Sequence, residues 1–90
     1  MIRVLFFATI RNLAREKETS APLCPNVRDL LAGLAGRYGE AFRKEALEDG
    51  DVSGRVIVMV NGRAIAHTGW GNTPLADGDT VAVFPIIGGG

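Results

Sequence analysis

The chain has 90 residues, of which 47% are hydrophobic and 22% are charged. This length allows one small domain, near the size at which a single core gives only marginal stability. Ten basic and ten acidic residues give no formal net charge and are scattered along the chain, so the electrostatic signature of a nucleic-acid binder or of an anionic-membrane binder is missing. No apolar stretch approaches the roughly 20 residues that cross a bilayer, and we expect neither nucleic acid nor membrane as a partner.

The single cysteine indicates the redox state of the cellular compartment. Cys24 has no second cysteine with which to form an internal disulfide, which agrees with a reducing environment. The sequence also enters a strand pattern at its first residues, without the features of a secretory signal peptide. We therefore expect a cytoplasmic protein.

The first predicted element is a strand over residues 2–9, "IRVLFFAT", which is rich in β-branched and aromatic residues. Its apolar residues fall on both faces, and this pattern favours a central position in a sheet. One face carries Ile2, Val4 and Phe6, and the other carries Arg3, Leu5 and Phe7. The charged segment 11–18 is predicted to turn, and a weaker strand over 19–24, interrupted by proline, is predicted at a sheet edge.

Residues 26–39, "NVRDLLAGLAGRYG", give the clearest helix prediction. Asn26 is placed to cap the helix, Asp29 lies near the positive end of its dipole, and Gly39 is placed to end it. The apolar residues recur with helical spacing and form one stripe, which needs a sheet to cover. The stripe consists of Val27, Leu30, Leu31, Leu34, Ala35 and Tyr38.

The second half alternates strands and turns. Residues 40–54 are polar, with a short helical turn predicted over 42–47 and a loop after it. "RVIVMV" over 55–60 predicts a buried strand, and Asn61-Gly62 favours a tight hairpin that returns through a short strand over 63–67. The following segment is predicted to be irregular, with a helical turn at 73–75 and a second turn at 77–79.

The last predicted strand covers 80–86, "TVAVFPI". The resulting order, β-β-α-β-β-β, with one main helix packed on one face of a mixed sheet of about five strands, describes an α+β ubiquitin-like β-grasp fold. We expect one domain over residues 1–90, with a flexible glycine tail over residues 86–90.

In this fold the first and last strands lie side by side and parallel at the centre of the sheet. If Val4 and Phe6 pack under the helix with Val81 and Val83, an apolar set is left on the opposite face. That set is Leu5, Phe7, Ala82, Phe84 and Ile86. Such a patch points to a partner protein, and the alternative is that the segment 40–54, or the nearby N-terminal turn, covers part of it.

Catalytic and metal chemistry find little support in the sequence. Cys24 and His67 are the only thiol and the only imidazole, so a Cys-His pair is one alternative and ordinary structural or surface roles are the other. One cysteine and one histidine fall short of the usual zinc ligand set, and we expect no bound metal or cofactor. Asp77 and Asp79 flank Gly78 and are interpreted as turn formers.

The glycine tail is the remaining signal. Gly88, Gly89 and Gly90 follow an apolar strand, and glycine is the residue that costs most to order. Residues without side chains could thread a narrow channel and leave the terminal carbonyl open to attack. The terminal carboxylate would need activation, for example as an acyl-adenylate formed with ATP, before capture by a sulfur or amine nucleophile. The alternative is a frayed end with no function.

The stretch "LADGDTVAVFPIIGGG", residues 75–90, resembles the C-terminal signature of the small subunit of molybdopterin synthase and of the ubiquitin-like sulfur carriers related to it. The family pattern is Leu-x-Asp-Gly-Asp-x-Val, an aromatic residue and a proline, and then a diglycine end. "VLFFATIRNLA" with Arg11, and "VNGR" before the last strand, resemble the same family. Ile86 departs from it, because many members have a second proline there.

The resemblance implies a non-catalytic sulfur carrier. Gly90 would be adenylated by an E1-like adenylyltransferase, which uses the ATP, and then converted to a thiocarboxylate. The tail would insert into the large subunit of molybdopterin synthase, which would supply the catalytic side chains. Gly88 and Gly89 would give access, while Phe7, Phe84 and Ile86 would form the docking face with Arg11 at its rim.

Two other functions use the same end group. One is sulfur donation to another acceptor, such as the thiamine thiazole, a tRNA base or a tungsten-cofactor pathway, although the long 40–54 segment disfavours the shorter thiazole type. The other is protein modification through an isopeptide bond formed by Gly90. A plain ubiquitin-like interaction domain is a third, non-reactive possibility.

Overall fold

The computed structural model describes residues 1–86, which fold into a five-stranded mixed sheet, a two-stranded hairpin and helices packed against the sheet. The strands are β1 (Ile2–Phe6), β2 (Glu18–Ala21), β3 (Leu47–Glu48), β4 (Asp51–Val52), β5 (Val56–Val60), β6 (Arg63–Ala64) and β7 (Thr80–Pro85). The α-helices are α1 (Ala8–Ala14), α2 (Val27–Tyr38) and α3 (Glu40–Ala46), and two 3₁₀ turns cover Ile65–His67 and Trp70–Asn72.

The last strand lies at the centre of the sheet. The strand order is β2-β1-β7-β5-β6, and β7 runs parallel to β1 and antiparallel to β5. Val4 lies opposite Val81 in the parallel pair. This arrangement confirms the predicted α+β ubiquitin-like β-grasp fold, including the central, parallel pair of first and last strands.

The core lies between the sheet and the helices. Val4, Phe6, Val81 and Val83 are completely buried, as predicted, because alternation turns them all to the same side of two neighbouring strands. The apolar stripe of α2 is buried in the same cluster, with Tyr38 partly buried at its end. The ring of Tyr38 meets Phe6 edge to face, with 5.5 Å between the ring centroids.

The predicted ends of α2 are confirmed. The Asn26 side-chain oxygen accepts a hydrogen bond from the backbone N–H of Asp29 at 2.8 Å, which satisfies one of the free donors of the first turn. Gly39 ends the helix at φ 98°, a conformation that favours glycine. Gly39 also precedes α3 directly, so the two helices are joined without a loop.

The prediction of a turn over residues 11–18 was wrong for residues 11–14, because α1 covers Ala8–Ala14, and the chain turns over residues 15–17 before β2. Charge density suggested a turn, yet Ile10 and Ala14 are four residues apart and both are buried, so one face of the segment contributes to the core. Ala8 and Arg15 have positive φ angles of 51° and 63° at the two ends. Arg11 is the one charged residue within the helix and is partly buried, whereas the exposed charged residues 15–18 follow the helix.

The loop predicted after residue 47 was also wrong. The segment 40–54 forms α3 and then the β3–β4 hairpin, which turns at Asp49 and Gly50 with φ angles of 54° and 79°. Phe42 explains why α3 forms, since its ring is completely buried and meets the Phe6 ring edge to face at 6.0 Å. Burial of this one aromatic residue outweighs the polar composition around it.

The predicted helical turn at residues 73–75 is displaced. A 3₁₀ turn occupies Trp70–Asn72 instead, because the residues after it are tied in extended form to the start of α2. Val27 N–H donates to the Thr73 carbonyl and Leu75 N–H donates to the Pro25 carbonyl, both at 3.1 Å. The short strand predicted over 63–67 is likewise reduced to two residues, and a 3₁₀ turn follows it.

The turn at residues 77–79 is present, and Asp79 links it to the β5–β6 hairpin. Its carboxylate accepts hydrogen bonds from the backbone N–H of Ala76 at 2.8 Å and from Asn61 Nδ2 at 2.9 Å. These bonds favour the charged form and hold the pKa of Asp79 below its usual range. Asp77 pairs with the N-terminal ammonium, so both carboxylates have structural partners.

Removal of the α2 cap is expected to destabilise the protein. Asn26→Ala should lower the free energy of unfolding by about 1 kcal/mol, because the Asp29 N–H loses its acceptor. Asn26→Ser is the matched control, since its hydroxyl oxygen can still accept this bond. Urea unfolding of the three proteins measures the effect, and equal losses in both variants would contradict the assigned cap.

The hydrogen bonds of Asp79 predict a contribution to the free energy of unfolding that depends on pH. At pH 7, Asp79→Asn should cost about 1 kcal/mol, because the amide nitrogen would face the Asn61 donor. Since the folded-state pKa is lowered, the contribution of Asp79 is present above the ordinary aspartate pKa and is lost as the pH falls through the folded-state value. Urea unfolding across the acid range should therefore show the two proteins converging, and a deficit that is constant with pH would argue against this role.

Candidate functional site

Two phenylalanine rings stack on the side of the sheet that faces away from α2. Phe7 follows β1 and Phe84 lies on β7, and their ring centroids are 4.4 Å apart with an angle of 8° between the planes. The parallel register sets this contact: Phe6 lies opposite Val83, and Phe7 N–H donates to the Val83 carbonyl at 3.1 Å. Both rings stay partly exposed.

An apolar surface extends from these rings across the three central strands. Leu5 and Met59 both lie opposite Ala82, and Ile57 lies opposite Phe84. Because directly paired residues point to the same face of a sheet, these side chains share one face. We call this surface the apolar sheet face. It consists of Leu5, Phe7, Ile57, Met59, Ala82, Phe84 and Ile86.

Helix α3 of the segment 40–54 packs on the side of the sheet opposite the apolar sheet face. Phe42 of α3 packs against Phe6 and Tyr38, which belong to the opposite side of the sheet. Helix α3 therefore does not shield the face, whereas Val52, Ser53 and Gly54 border one end of it, where they line a groove with Ile57 and Ile86. Seven apolar residues are left partly or largely exposed together, and contiguous exposed patches of this kind mark binding surfaces.

The chain leaves the sheet beside Arg55. Ile86 N–H donates to the Arg55 carbonyl at 3.0 Å, and the Ile86 side chain is 50% exposed. The guanidinium of Arg55 donates to Glu48 at 2.9 Å, to the Leu47 carbonyl at 3.3 Å and to the Lys44 carbonyl. These bonds fix the last described residue to the β3–β4 hairpin. Gly88, Gly89 and Gly90 lie outside the described residues.

Arg11 lies on α1, four residues after Phe7. Its Nε donates to the Phe6 carbonyl at 3.3 Å, and its side chain is partly buried. This bond holds the guanidinium near the end of β1, beside the point where Phe7 begins the turn into α1. A fixed cation at this position is suited to a partner that carries a carboxylate.

The structure gives Cys24 and His67 separate surroundings. Cys24 Sγ lies 3.7 Å from the Asn26 carbonyl, and burial raises the pKa of the thiol, with Asp29 adding to the effect. A raised thiol pKa opposes nucleophilic chemistry. His67 is exposed at the end of a 3₁₀ turn that follows the opposite edge strand.

A search of residues 1–86 finds no group of three or more His, Cys, Asp or Glu side chains placed to hold a metal ion. Within the same range, no helix is long and apolar enough to cross a membrane.

Sequence reasoning missed two residues of the apolar sheet face and one exposed residue, Trp70, that lines a groove beside it. Ile57 and Met59 alternate with Val56 and Val58 in a run that is apolar on both faces, so a two-sided strand could have been recognised from the pattern. Trp70 gave no such signal, because it lies in a segment without periodicity. It is 63% exposed, and the structure places it on the 3₁₀ turn beyond β6.

The sequence profile of the ThiS family matches residues 4–90 of the chain. Small archaeal modifier protein 3 of Haloferax volcanii is 35% identical over 91 residues, which are 99% of this chain and 98% of that protein. The molybdopterin synthase sulfur carrier subunit of Escherichia coli is 35% identical over 94 residues, which cover both chains completely.

A solved structure supports the fold. One chain of the Amycolatopsis orientalis BexX/CysO complex superposes with a TM-score of 0.85 and covers 100% of both chains at 20% identity. At this identity the match establishes the ubiquitin-like β-grasp fold alone.

The Phe7–Phe84 stack should contribute a measurable coupling energy. Phe7→Ala, Phe84→Ala and the double variant form a cycle in which we expect about 0.5–1.5 kcal/mol of coupling in the free energy of unfolding, because the rings are in direct stacked contact. Urea unfolding measures all four proteins. Leu23, which is exposed beyond the β2 edge, serves as the control partner for Phe84, and a coupling as large in that cycle would show that the effect is not specific to the stack.

Proposed function

The chain belongs to the ThiS family of ubiquitin-like sulfur carriers, and we propose that it supplies sulfur for molybdopterin synthesis as the small subunit of molybdopterin synthase. The observation that carries the proposal is the match over complete lengths to the Escherichia coli sulfur carrier subunit. The position of β7 supports it, because the central strand leads directly to the glycine residues at the end of the chain.

The reacting group in this proposal is the carboxylate of Gly90. An E1-like adenylyltransferase joins it to the α-phosphate of ATP, and pyrophosphate leaves. A hydrosulfide-equivalent nucleophile then attacks the acyl carbon, AMP leaves, and the product is a thiocarboxylate. Gly88 and Gly89 carry no side chains, so the acyl carbon can be reached through a narrow channel. The chain itself supplies no catalytic side chain.

The partners in this proposal dock on the apolar sheet face. Phe7 and Phe84 offer a preorganised aromatic pair at its centre, which is the type of residue that dominates binding energy at interfaces. Ile86 continues the face toward the tail, and Arg11 adds a fixed cation near its rim. The activating enzyme and the large synthase subunit therefore use one surface in turn, since both must reach the same terminus.

The hydrogen bond that fixes Ile86 supports partner docking on the apolar sheet face. A partner bound to the apolar sheet face contacts β7 directly. The hydrogen bond from Ile86 to Arg55 fixes the last residue before the tail. Residues 87–90 then span at most about 14 Å when extended. A reaction centre on the partner must lie within that distance of Ile86, so docking and chemistry are linked by geometry.

Protein modification is a second candidate function, favoured by the 35% identity to small archaeal modifier protein 3. The same activated Gly90 would be captured by a lysine amine instead of sulfur. The two functions share the activation step and differ in the nucleophile. Sulfur delivery to another acceptor, such as a tRNA base, the thiamine thiazole or a tungsten cofactor, shares the thiocarboxylate as well.

The proposal predicts a covalent change at the terminus. After incubation with ATP, the cognate adenylyltransferase and a sulfur source, the protein should gain the mass difference between one sulfur and one oxygen atom. A variant with one alanine added after Gly90 is the matched control and should keep its mass, because its glycine carboxylate is blocked. An unchanged mass of the normal chain, with an enzyme shown to be active on another carrier, would refute the proposal.

The acceptor is decided by the fate of the thiocarboxylate form. Conversion of the pyranopterin precursor to molybdopterin when the large synthase subunit is added supports the synthase assignment. Higher-mass conjugates that depend on Gly90, without molybdopterin formation, would support the modifier instead.

A further inference from the structure

The groove beside the apolar sheet face continues that face around the edge of β5. Ile57 and Ile86 belong both to the face and to the groove, and both side chains are largely exposed. Among the described residues that line the groove, none is charged. Its volume of about 230 Å³ lies below the roughly 300–1,000 Å³ of small-molecule sites. The groove is therefore suited to one apolar side chain of a larger partner.

Trp70 lines this groove in a strained backbone conformation. Its φ angle is 53°, in the left-handed region that bulky residues avoid, and most of its side chain is exposed. Residues in such conformations persist only where the surrounding structure holds them, and they cluster at functional sites. The strain and the exposure of the indole together indicate a binding role.

Named contacts hold the turn that presents Trp70. Gly71 is buried against Asp51, and a Cβ at this position would collide with the Asp51 carboxylate. Arg28 of α2 donates to Asp51 at 3.1 Å and to the side chain of Asn72 at 2.8 Å. These contacts fix the turn to α2 and to the β3–β4 hairpin, so the indole has a defined position at the groove.

We propose that Trp70 and the groove form a specificity subsite for the activating adenylyltransferase, in which an aliphatic side chain of that enzyme packs against the indole. The groove adjoins the surface on which this enzyme docks, so one contact covers both. Exposed tryptophan residues beside apolar pockets are typical of the residues that dominate binding energy at interfaces. A charged side chain would lose its hydration in this groove without gaining a partner.

The activating enzyme is the occupant to which the proposed functions point. Sulfur transfer and protein modification share the activation step and differ only in the later nucleophile. A subsite for the activating enzyme therefore serves either acceptor. This inference deepens the proposed function and rests on its activation step.

The kinetics of activation test the subsite. Trp70→Gly removes the indole and suits the left-handed backbone at this position, so the variant should keep the fold. In carrier-dependent exchange of pyrophosphate into ATP, we expect its KM to rise about tenfold with little change in kcat, because the contact contributes equally to substrate and transition state. Leu23→Ala shortens an exposed apolar residue outside the groove and should keep both constants.

A second variant blocks the groove and leaves Trp70 in place. Gly54 lines the groove, and a Cβ added to it would meet nothing within 4 Å. Gly54→Leu should therefore be tolerated, fill the groove and raise KM as well. Gly36→Leu adds the same side chain at an exposed and equally open position of α2 and should leave KM unchanged. Urea unfolding should show that all variants are folded.

The single tryptophan of the chain also gives a direct measure of the contact. In protein labelled with 5-fluorotryptophan, the fluorine resonance of Trp70 should shift when unlabelled adenylyltransferase is added without ATP. An unchanged resonance in the complex, or an unchanged KM for Trp70→Gly, overturns the subsite while the proposed function stands. If the normal chain supports no exchange with an enzyme active on another carrier, the proposed function fails and the subsite fails with it.

Two other occupants of the groove would also overturn the proposal. A fluorine resonance that changes on dilution of the labelled protein alone would assign the groove to a second copy of the chain. A resonance that changes when residues 87–90 are removed would assign it to the end of the chain itself.

Discussion

The parallel pairing of β1 with β7 is the constraint on which the rest of the structure depends. It places the last strand between β1 and β5, so its backbone is hydrogen-bonded on both sides as far as Val83 and on the β5 side as far as Ile86. A segment held at the centre of a sheet is more rigid than an edge or a free terminus. The hydrogen bond from Ile86 to the Arg55 carbonyl therefore fixes the position of the last described residue.

The same pairing makes the sheet apolar on both faces. Val81 and Val83 are completely buried under the helices, whereas Ala82 and Phe84 are partly exposed on the other side. The three helices and the β3–β4 hairpin supply the buried side, and no element of residues 1–86 is placed over the aromatic pair of the other side. A domain of this size gains stability mainly from its one core, and the second apolar face is the one proposed above for partner binding.

The ionisable side chains fit a sheet with one face buried in the core and the other partly exposed. Within the described residues several ionisable side chains are engaged in turns and surface pairs, as Asp79 is with Asn61 and Arg55 is with Glu48. Cys24 is partly buried with a raised pKa. A carrier of the ThiS family needs no active-site side chain of its own when its reacting group belongs to the main chain. In the proposed function the folded part provides recognition, and the partner provides catalysis.

The sequence by itself determined the sheet, the main helix and the composition of the tail. Period-two patterns located β1, β5 and β7, and the Asn26 and Gly39 signals bounded α2. These features are local, because propensity, capping and alternation act over a few residues.

Only the tertiary structure decided the remaining features. The helix α1 and the aromatic contact of Phe42 depend on burial against distant strands, which overrides local charge and polarity. Likewise, the stack of Phe7 on Phe84, the anchor at Arg55 and the place of Trp70 join residues that are far apart in the chain. Such contacts follow from the register of the sheet, and no short stretch of sequence contains that information.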